Sequence, residues 1–576
     1  MKLLRLKINE QQGFRSLHKG FEVRFLREWD YNSVDDVNPY ILAGPNGSGK
    51  SNVLEALAAI FYHIECVYLN FRPRTFDFSE MDNANGFRAE FSSPDAFEVE
   101  YFIPVPEGLK NKKTSGNAHI KIEKEAGKNP VVSWINREMF DEGSNVELER
   151  TEAKQLLPKY ILGYSSGENE ILSLPFYKMR FIHFDEYKEM LLTDNAYGTS
   201  EGRLIFLDNE LNQAIVLSNF LLQDRETLKP FEEELGIAKI KQFRIIIRKN
   251  IKIDLDKLNE MIDEYPGLYD ELESKEDSNY REYKELEITK KIQHSIDYLI
   301  KCSTSHCFDE GTGCYFIDYW VNDATREAFK LYFGSAKELF QVFQILLTLN
   351  LYSVNDKLKK ELYESSSLYI NETVPVLASD ERIMRFKDFL LEKRGVNGTI
   401  YSKSLSDGEH QFMHSLGLCL LYKDDNCLFL LDEPETHFNP DWRAKFISRL
   451  RECFEKEKLE NTMREMLITT HTPFLISDSK PEHVLLFEKD LDNGEVKVKR
   501  PGFNTLGASI NKITIEAFKK SQTIGGYAEK KLNEFRKRYE NGEDIDVILE
   551  DTNSVLGDSV EKILFIDSIL KRKEEQ

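Results

Sequence analysis

The amino-acid sequence predicts an α/β fold built on parallel strands, with an antiparallel β region beside them. Apolar runs end at Gly44 (YILA), Asp432 (CLFLL) and His471 (MLITT), and residues 400 to 490 alternate strand and helix patterns. That alternation is expected of parallel strands joined by helices. Between residues 97 and 135, the segments FEVEYFIPV, AHIKIEKE and VVSWI are separated by polar turns and predict the antiparallel region.

Length and composition describe a folded chain larger than one compact core. Its 576 residues, 41% hydrophobic and 31% charged, predict a domain with insertions or a second domain. The most apolar run, FQVFQILLTLNL, is too short to cross a bilayer, and the first residues lack a signal-peptide pattern. Seven cysteines show no disulfide framework, which fits a reducing cytoplasm. The net charge of −22 argues against nonspecific coating of nucleic acid.

The segment GPNGSGKS fills every fixed position of the phosphate-binding loop GxxxxGK[ST]. It follows an apolar strand and opens a helix, so backbone N–H groups and the helix N-terminus should surround a phosphate. Lys50 is expected to reach the β- and γ-phosphates of ATP, and Ser51 to ligate Mg²⁺. The predicted nucleotide-binding residues are Gly44, Pro45, Asn46, Gly47, Ser48, Gly49, Lys50, Ser51 and Asn52.

Two more strand ends supply the predicted catalytic groups. The strand CLFLL delivers Asp432, expected to hold Mg²⁺ with Ser51, and Glu433, expected to polarise the attacking water. His471 ends the strand about 40 residues later, where a neutral imidazole can hydrogen-bond the γ-phosphate. We therefore predict Glu433 and His471 as catalytic residues.

The motifs SLSDGEH, LLDEPETHFNP and TTH together resemble those of ABC ATPases of the RecF, SMC and OLD-like branch. The resemblance implies an ABC-type head with a mixed sheet and an antiparallel β subdomain. It also implies that two heads pair and that the signature loop of one closes over ATP held by the other. The signature residues so implied are Ser404, Leu405, Ser406, Asp407, Gly408 and Glu409. Asn439 and Pro440 match the family's D-loop.

Longer segments resemble the ATPase of Septu-type anti-phage systems, a group that includes retron-associated ATPases. They are GSGKSNVLEALAAIF, YSSGENE, SLSDGEHQF and FNTLGASINKITIEAFKKSQTIGGYAEKKL. This resemblance implies a cytoplasmic protein that works beside a separate HNH nuclease. Nucleic acid, or a reverse transcriptase–nucleic acid complex, is a further implied partner, and a membrane is not. The alternatives are a RecF-like DNA-repair ATPase and an OLD-like ATPase-nuclease.

The predicted head is discontinuous. Residues 1–199 and 381–490 form it, a mainly helical arm is inserted at 200–380, and an α-rich extension, a candidate partner-docking region, follows at 491–576. The arm is predicted from Glu- and Lys-rich sequence that Pro266 and Gly267 interrupt, too short for a long coiled coil. The loop YSSGENE, residues 164 to 170, is assigned to the Q-loop position, where the γ-phosphate is sensed.

Three further groups of residues each allow a functional and a structural interpretation. Cys302, His306, Cys307 and Cys314 could hold zinc, but their spacing matches no known motif, so ordinary thiols are favoured. The stretch from Lys239 to Lys249 could contact nucleic acid through Lys239, Lys241 and Phe243, but a half-buried strand with a solvated cationic edge is favoured. Glu488, Asp544 and Asp546 could form a nuclease site of the TOPRIM kind, but helical sequence separates them, so nuclease activity in this chain is not expected.

Overall fold

The structure is a computed structural model of the whole chain. It describes residues 1–26, 38–73, 76–81, 84, 86–109, 116–140, 145–167, 169–192, 202–254, 283–364, 373–455, 462–519 and 524–575.

A seven-stranded sheet forms the centre of the fold. Six neighbouring strands are parallel, and the strand at one edge is antiparallel to its neighbour. The parallel strands are mostly apolar, as expected of strands covered on both faces. In spatial order the strands are β19 (Val496–Lys499), β18 (Val484–Lys489), β3 (Tyr40–Ala43), β17 (Arg464–Thr470), β16 (Cys427–Asp432), β7 (Tyr160–Ser165) and β8 (Leu204–Phe206).

A second, five-stranded antiparallel sheet lies near the N-terminus. Its strands alternate inward apolar and outward charged residues, most clearly in NAHIKIEK. In spatial order they are β2 (Glu22–Arg24), β1 (Lys2–Ile8), β4 (Phe97–Pro104), β5 (Asn117–Lys124) and β6 (Val131–Trp134).

A third sheet, also antiparallel and five-stranded, comes mostly from the middle of the chain. Its strands are β12 (Ser305–Asp309), β13 (Cys314–Trp320), β9 (Ile237–Arg248), β14 (Met384–Lys393) and β15 (Thr399–Tyr401). A separate antiparallel pair is formed by β10 (Asn250–Asp254) and β11 (Tyr283–Glu287).

Helices cover both faces of the central sheet. The α-helices of the described residues, including some that do not contact this sheet, are α1 (Lys50–Tyr68), α2 (Arg150–Gln155), α3 (Glu170–Leu192), α4 (Asn212–Leu222), α5 (Arg225–Leu235), α6 (Gln293–Lys301), α7 (Asp323–Phe333), α8 (Ala336–Thr348), α9 (Asp356–Glu364), α10 (Asp407–Leu421), α11 (Pro440–Glu455), α12 (Pro473–Ser477), α13 (Ile510–Phe518), α14 (Gly526–Glu540), α15 (Ile545–Val555) and α16 (Val560–Glu575).

The two faces of the central sheet belong to two different hydrophobic cores. Leu428 and Leu430 of β16 join a core with α1 and the N-terminal antiparallel sheet. Phe429 and Leu431 of the same strand join a core with α10, α4 and the third sheet. Because successive side chains of a strand point to opposite faces, α1 and α10 lie on opposite sides of the sheet.

The middle of the chain, predicted as a mainly helical arm at residues 200–380, contains the helices α4 to α9 and also the strands β8 to β13. Its described part contributes strands to the third sheet and packs into the large core around α10. The charged sequence that suggested helix, with Pro266 and Gly267, lies mostly in residues 255–282, outside the described residues. Five isoleucines in β9 favour a strand there, because β-branched side chains pack well on a pleated surface.

The C-terminal residues are largely helical, with one exception. β19, within the predicted extension, completes the central sheet. α13 packs on the core around α10, whereas α14, α15 and α16 share a small core of their own. The buried residues of that small core are Leu532, Phe535, Ile548, Phe565 and Ile569.

In the part of the chain that the structure describes, none of the helices combines the length and the apolar content needed to cross a membrane.

Candidate functional site

The predicted motifs meet at one edge of the central sheet. β3, β17, β16 and β7 are neighbours and parallel, so their carboxyl ends lie side by side. The phosphate-binding loop follows β3, Asp432 ends β16, His471 follows β17, and the YSSGENE loop begins at the end of β7. Ligands bind at this edge in open α/β sheets.

Glycines allow the loop after β3 to turn tightly into α1. Gly44, Gly47 and Gly49 have φ values of 153°, 72° and 93°, which side chains disfavour. A Cβ atom on Gly44 would lie 2.3 Å from the carbonyl oxygen of Phe487 on β18. No larger residue fits there, so the loop depends on glycine for both its conformation and its packing.

Lys50 is held inside the loop that it is expected to serve. Its side chain donates to the carbonyl oxygens of Gly44 and Pro45, each at 3.0 Å, and the residue is 4% exposed. Burial lowers the pKa of Lys50 to about 8, while the charges of Glu433 and Asp432 act in the opposite direction.

A second group in the loop fits a phosphate. The hydroxyl of Ser48 is buried, with the residue 1% exposed, and has no hydrogen-bond partner among the described residues. An unpaired buried hydroxyl costs free energy. A phosphate oxygen would accept this O–H, so the loop fits the triphosphate of ATP.

Three donors converge on the carboxylate of Asp432. Ser51 Oγ lies 2.8 Å and Thr469 Oγ1 lies 2.6 Å from Oδ1, and Asn169 Nδ2 lies 2.8 Å from Oδ2. The hydroxyl and carboxylate oxygens are ligands that Mg²⁺ prefers. Ser51 and Asp432, as predicted from the sequence, would thus hold the ion beside the phosphates, where it would neutralise developing negative charge.

Glu433 and His471 face each other across the same edge. His471 Nε2 lies 2.7 Å from Glu433 Oε1, and the Glu433 N–H donates to Thr469 Oγ1 at 3.0 Å. The hydrogen bond with His471 lowers the pKa of Glu433. Glu433 is therefore ionised at neutral pH, which a group that polarises water requires.

The signature segment lies at the start of α10. Ser406 caps that helix in a capping box: its hydroxyl accepts from the N–H of Glu409, and its own N–H donates to the Glu409 carboxylate at 2.8 Å. A Cβ atom on Gly408 would lie 2.6 Å from the carbonyl oxygen of His437. Leu405 is buried, whereas Ser404, Ser406 and Asp407 are exposed.

The remaining predicted residues lie close by in sequence and structure. Asn52 links α1 to the N-terminal segment, because its Oδ1 accepts from Ser16 Oγ at 2.6 Å. Asn439 caps α11 by accepting from the N–H of Trp442, and Pro440 opens that helix; both are exposed.

Sequence reasoning missed two of the groups around Asp432. Asn169 lies in the loop assigned to the Q-loop position but was given no role, and Thr469 was read only as part of a strand. A polar residue at the end of a buried strand is a usable signal for Thr469. Asn169 contacts Asp432 across 263 residues of sequence, so no local pattern identifies it. Glu168 of the same loop lies outside the described residues.

The basic side chains of β9 form ion pairs with acidic residues of the neighbouring strands. Lys239 and Lys241 each lie 3.2 Å from Glu392, and Arg244 forms two hydrogen bonds with Asp318. The strand forms as predicted, but it is the central strand of its sheet and not an edge. Phe243 does not share a surface with the lysines, since it is buried and stacks on Tyr319.

Neither the cysteine–histidine cluster nor the group of Glu488, Asp544 and Asp546 forms its predicted site within the described residues. No group of three or more His, Cys, Asp or Glu side chains placed to hold a metal occurs in the described ranges, which include Cys302, His306, Cys307 and Cys314. Glu488 pairs with Lys499 at 2.6 Å. Asp544 caps α15, and Asp546 lies in the first turn of that helix, so neither stands at a strand end.

A parallel sheet with a glycine-rich loop, a buried lysine, a Ser–Asp pair and a Glu–His pair at one edge defines a P-loop ATPase with the ABC-type motif set. The model of the AAA ATPase domain family matches residues 1–476, and the chain belongs to that family. The chain is an ATPase.

Solved structures similar to the chain include two SMC head domains. The head from Pyrococcus furiosus, bound to the C-terminal domain of ScpA, is 12% identical, with 87% of this chain and 96% of that chain covered and a TM-score of 0.30. The head from Thermotoga maritima is 11% identical, with 87% and 99% covered and a TM-score of 0.29. No curated protein matches the sequence at a significant level.

Replacing Lys50 by Ala should remove nucleotide binding. Charge-assisted hydrogen bonds to phosphate are worth about 1.5–3 kcal/mol each, so affinity for ATP should fall by at least about tenfold. Fluorescent-nucleotide titration measures this, with Lys530→Ala, at an exposed position of α14, as the charge-matched control. Unchanged affinity in Lys50→Ala would place the phosphates elsewhere.

Proposed function

We propose that two copies of this chain pair head to head around two ATP molecules, and that this pairing controls a separate HNH nuclease in anti-phage defence. The observation that carries the pairing is the position of Ser406, exposed at the start of α10 on the face of the central sheet opposite to α1. The helix that begins at the phosphate-binding loop and the helix that begins at the signature therefore belong to different cores.

This arrangement favours completion of the ATP site by a second chain. The signature offers an exposed serine hydroxyl, the N–H of Gly408 and the positive end of a helix, all suited to an anion. Two copies related by a two-fold axis would each place this surface over the other's phosphates in one isologous interface. The exposed Asn439 and Pro440 would lie at the same contact.

Within such a pair, each chain contributes distinct groups to the reaction. Lys50 and Ser48 would bind the phosphates, and Ser51 and Asp432 would hold Mg²⁺. Glu433 would orient and polarise the attacking water. His471 would hydrogen-bond the γ-phosphate and keep Glu433 in place.

The nuclease is placed in a second protein because the chain's own acidic candidates are otherwise engaged. Glu488 is paired with Lys499, and Asp544 caps a helix.

The C-terminal helices α14 to α16 are the proposed docking region for the partner. They have their own small core and expose Ile563 and Leu564, each 61% accessible. A nucleic acid or a reverse transcriptase–nucleic acid complex is a further proposed partner.

Direct DNA binding, the RecF-like alternative, receives less support. The cations of β9 that motivated it are paired with Glu392 and Asp318. Breaking these pairs to reach phosphates would offset part of the electrostatic gain.

Replacing Glu433 by Gln should leave ATP binding intact and slow hydrolysis by about 10²-fold or more, because general-base catalysis is worth about that much. The paired heads should then accumulate with ATP and Mg²⁺, visible by light scattering. Glu327→Gln, a substitution of the same kind at an exposed position of α7, is the control. Normal turnover by Glu433→Gln would assign water activation to another residue.

Mixing two inactive variants tests sharing of the site. Lys50→Ala lacks a working phosphate loop, and Ser406→Arg lacks a working signature, so neither should hydrolyse ATP alone. A mixed pair retains one intact site, formed by Lys50 of one chain and Ser406 of the other. With random pairing, about a quarter of the wild-type rate should return. If the mixture stays inactive although the two variants form a mixed pair with ATP, the shared site is excluded.

Co-expression with the product of a neighbouring HNH nuclease gene tests the partner. A complex should be recovered with the intact chain and lost when Ile563 and Leu564 are both replaced by Lys, because a desolvated charge opposes docking. Leu331→Lys on α7, an exposed apolar position (77% accessible) outside the proposed docking region, is the control. Failure of the intact chain to form any stable complex would contradict the proposed control of a nuclease, while the ATP-dependent pairing could still stand.

A further inference from the structure

A second link joins the two loops that carry Glu433 and His471. The hydroxyl of Thr470 donates to Oε1 of Glu435. Each partner is therefore one or two residues from a predicted catalytic group, but neither has been assigned a role in binding ATP or Mg²⁺. The link needs a physical explanation of its own.

The two links differ in burial. Glu433 and His471 are about one-third accessible, whereas Glu435 is 1% exposed. The second oxygen of Glu435, Oε2, is also buried and has no hydrogen-bond partner among the described residues. Burial raises the pKa of Glu435 to about 7. A buried carboxyl group with an unsatisfied oxygen costs free energy, so its retention calls for a compensating function.

The Thr470 hydroxyl connects Glu435 to the backbone around His471. It accepts the N–H of Thr472 at 2.9 Å while donating to Glu435. A hydroxyl has one hydrogen, so donation to Glu435 fixes its rotation and aims its lone pairs at that N–H. The hydrogen-bonded residues Thr470 and Thr472 therefore lie directly before and directly after His471 in the chain.

We propose that Glu435 is a positioning residue for ATP hydrolysis, which holds His471 within reach of Glu433 by way of the Thr470 hydroxyl. The inference rests on the proposed role of His471. A γ-phosphate and a water molecule that enter between Glu433 and His471 would separate this accessible contact. The buried link between Thr470 and Glu435 would persist and keep the two loops in register.

Substitutions of Thr470 test the link without introducing a large cavity. Thr470→Val removes the hydroxyl at nearly constant volume, and should lower kcat about tenfold or more, because small misplacements of catalytic groups are costly. KM for ATP should stay close to wild type. The melting temperature should fall, because Glu435 and the N–H of Thr472 lose their hydrogen-bond partner, so kcat is measured well below it. Thr470→Ser keeps the hydroxyl and should retain activity. Thr552→Val, at a buried threonine in the C-terminal helices, is the control.

Substitutions of Glu435 test the other end of the hydrogen bond between Thr470 and Glu435. Glu435→Gln keeps an acceptor oxygen in the same place, and the neutral form suits this buried position, so kcat should be retained. Glu435→Leu removes the acceptor and should reproduce the kcat loss of Thr470→Val. The double variant with both changes should be no slower than either single one.

The His471→Ala background separates the possible failures. If His471→Ala lowers kcat, then adding Thr470→Val should cause no further loss. An unchanged kcat in Thr470→Val, a rise in KM alone, or a further loss in the His471→Ala background would overturn the inference and leave the role of His471 standing. If His471→Ala has a normal kcat, the proposed role of His471 is itself wrong, and the inference fails with it.

Discussion

The carboxylate of Asp432 is the point at which the separate parts of the site are joined. It accepts hydrogen bonds from Ser51 at the start of α1, from Thr469 at the end of β17 and from Asn169 beyond β7. Three segments far apart in sequence therefore share one buried acceptor. Since buried, charge-assisted hydrogen bonds are strong and costly to break, this carboxylate fixes the phosphate loop, the histidine loop and the loop after β7 relative to one another.

The two cores explain why the chain is built from interleaved segments. The N-terminal antiparallel sheet and α1 form one core behind the phosphate loop, and the middle of the chain forms the other behind the signature helix. α10 is closely packed there: Asn219 of α4 donates to the carbonyl of Gly417 at 3.0 Å, and a Cβ atom on Gly417 would lie 2.7 Å from Ile215. The inserted region is thus a support for the signature and not a tether.

The local sequence pattern predicted where the strands of the site end, but it did not predict the contacts between residues far apart in sequence. Lys50, Ser51, Asp432 and His471 are recognisable because each stands where an apolar strand meets a polar loop. The middle segment, predicted to be mainly helical, also contributes an isoleucine-rich strand that packs into the core. The simple alternation read for Phe243 fails because β9 pairs with β14 through register shifts, which change the face that each residue presents.

The net charge of the chain would make the proposed pairing depend on the ligands bound between the two copies. Two copies of a chain with net charge −22 repel each other, and ATP adds further negative charge at the contact. The compensating groups are local: Lys50 in the loop, Mg²⁺ at Asp432, and the N-terminus of α10 across the interface. In the single chain the Glu409 carboxylate occupies that helix terminus and is itself paired with Lys393. In the proposed pair a triphosphate would compete with this internal anion, so we expect pairing to need nucleotide and metal together.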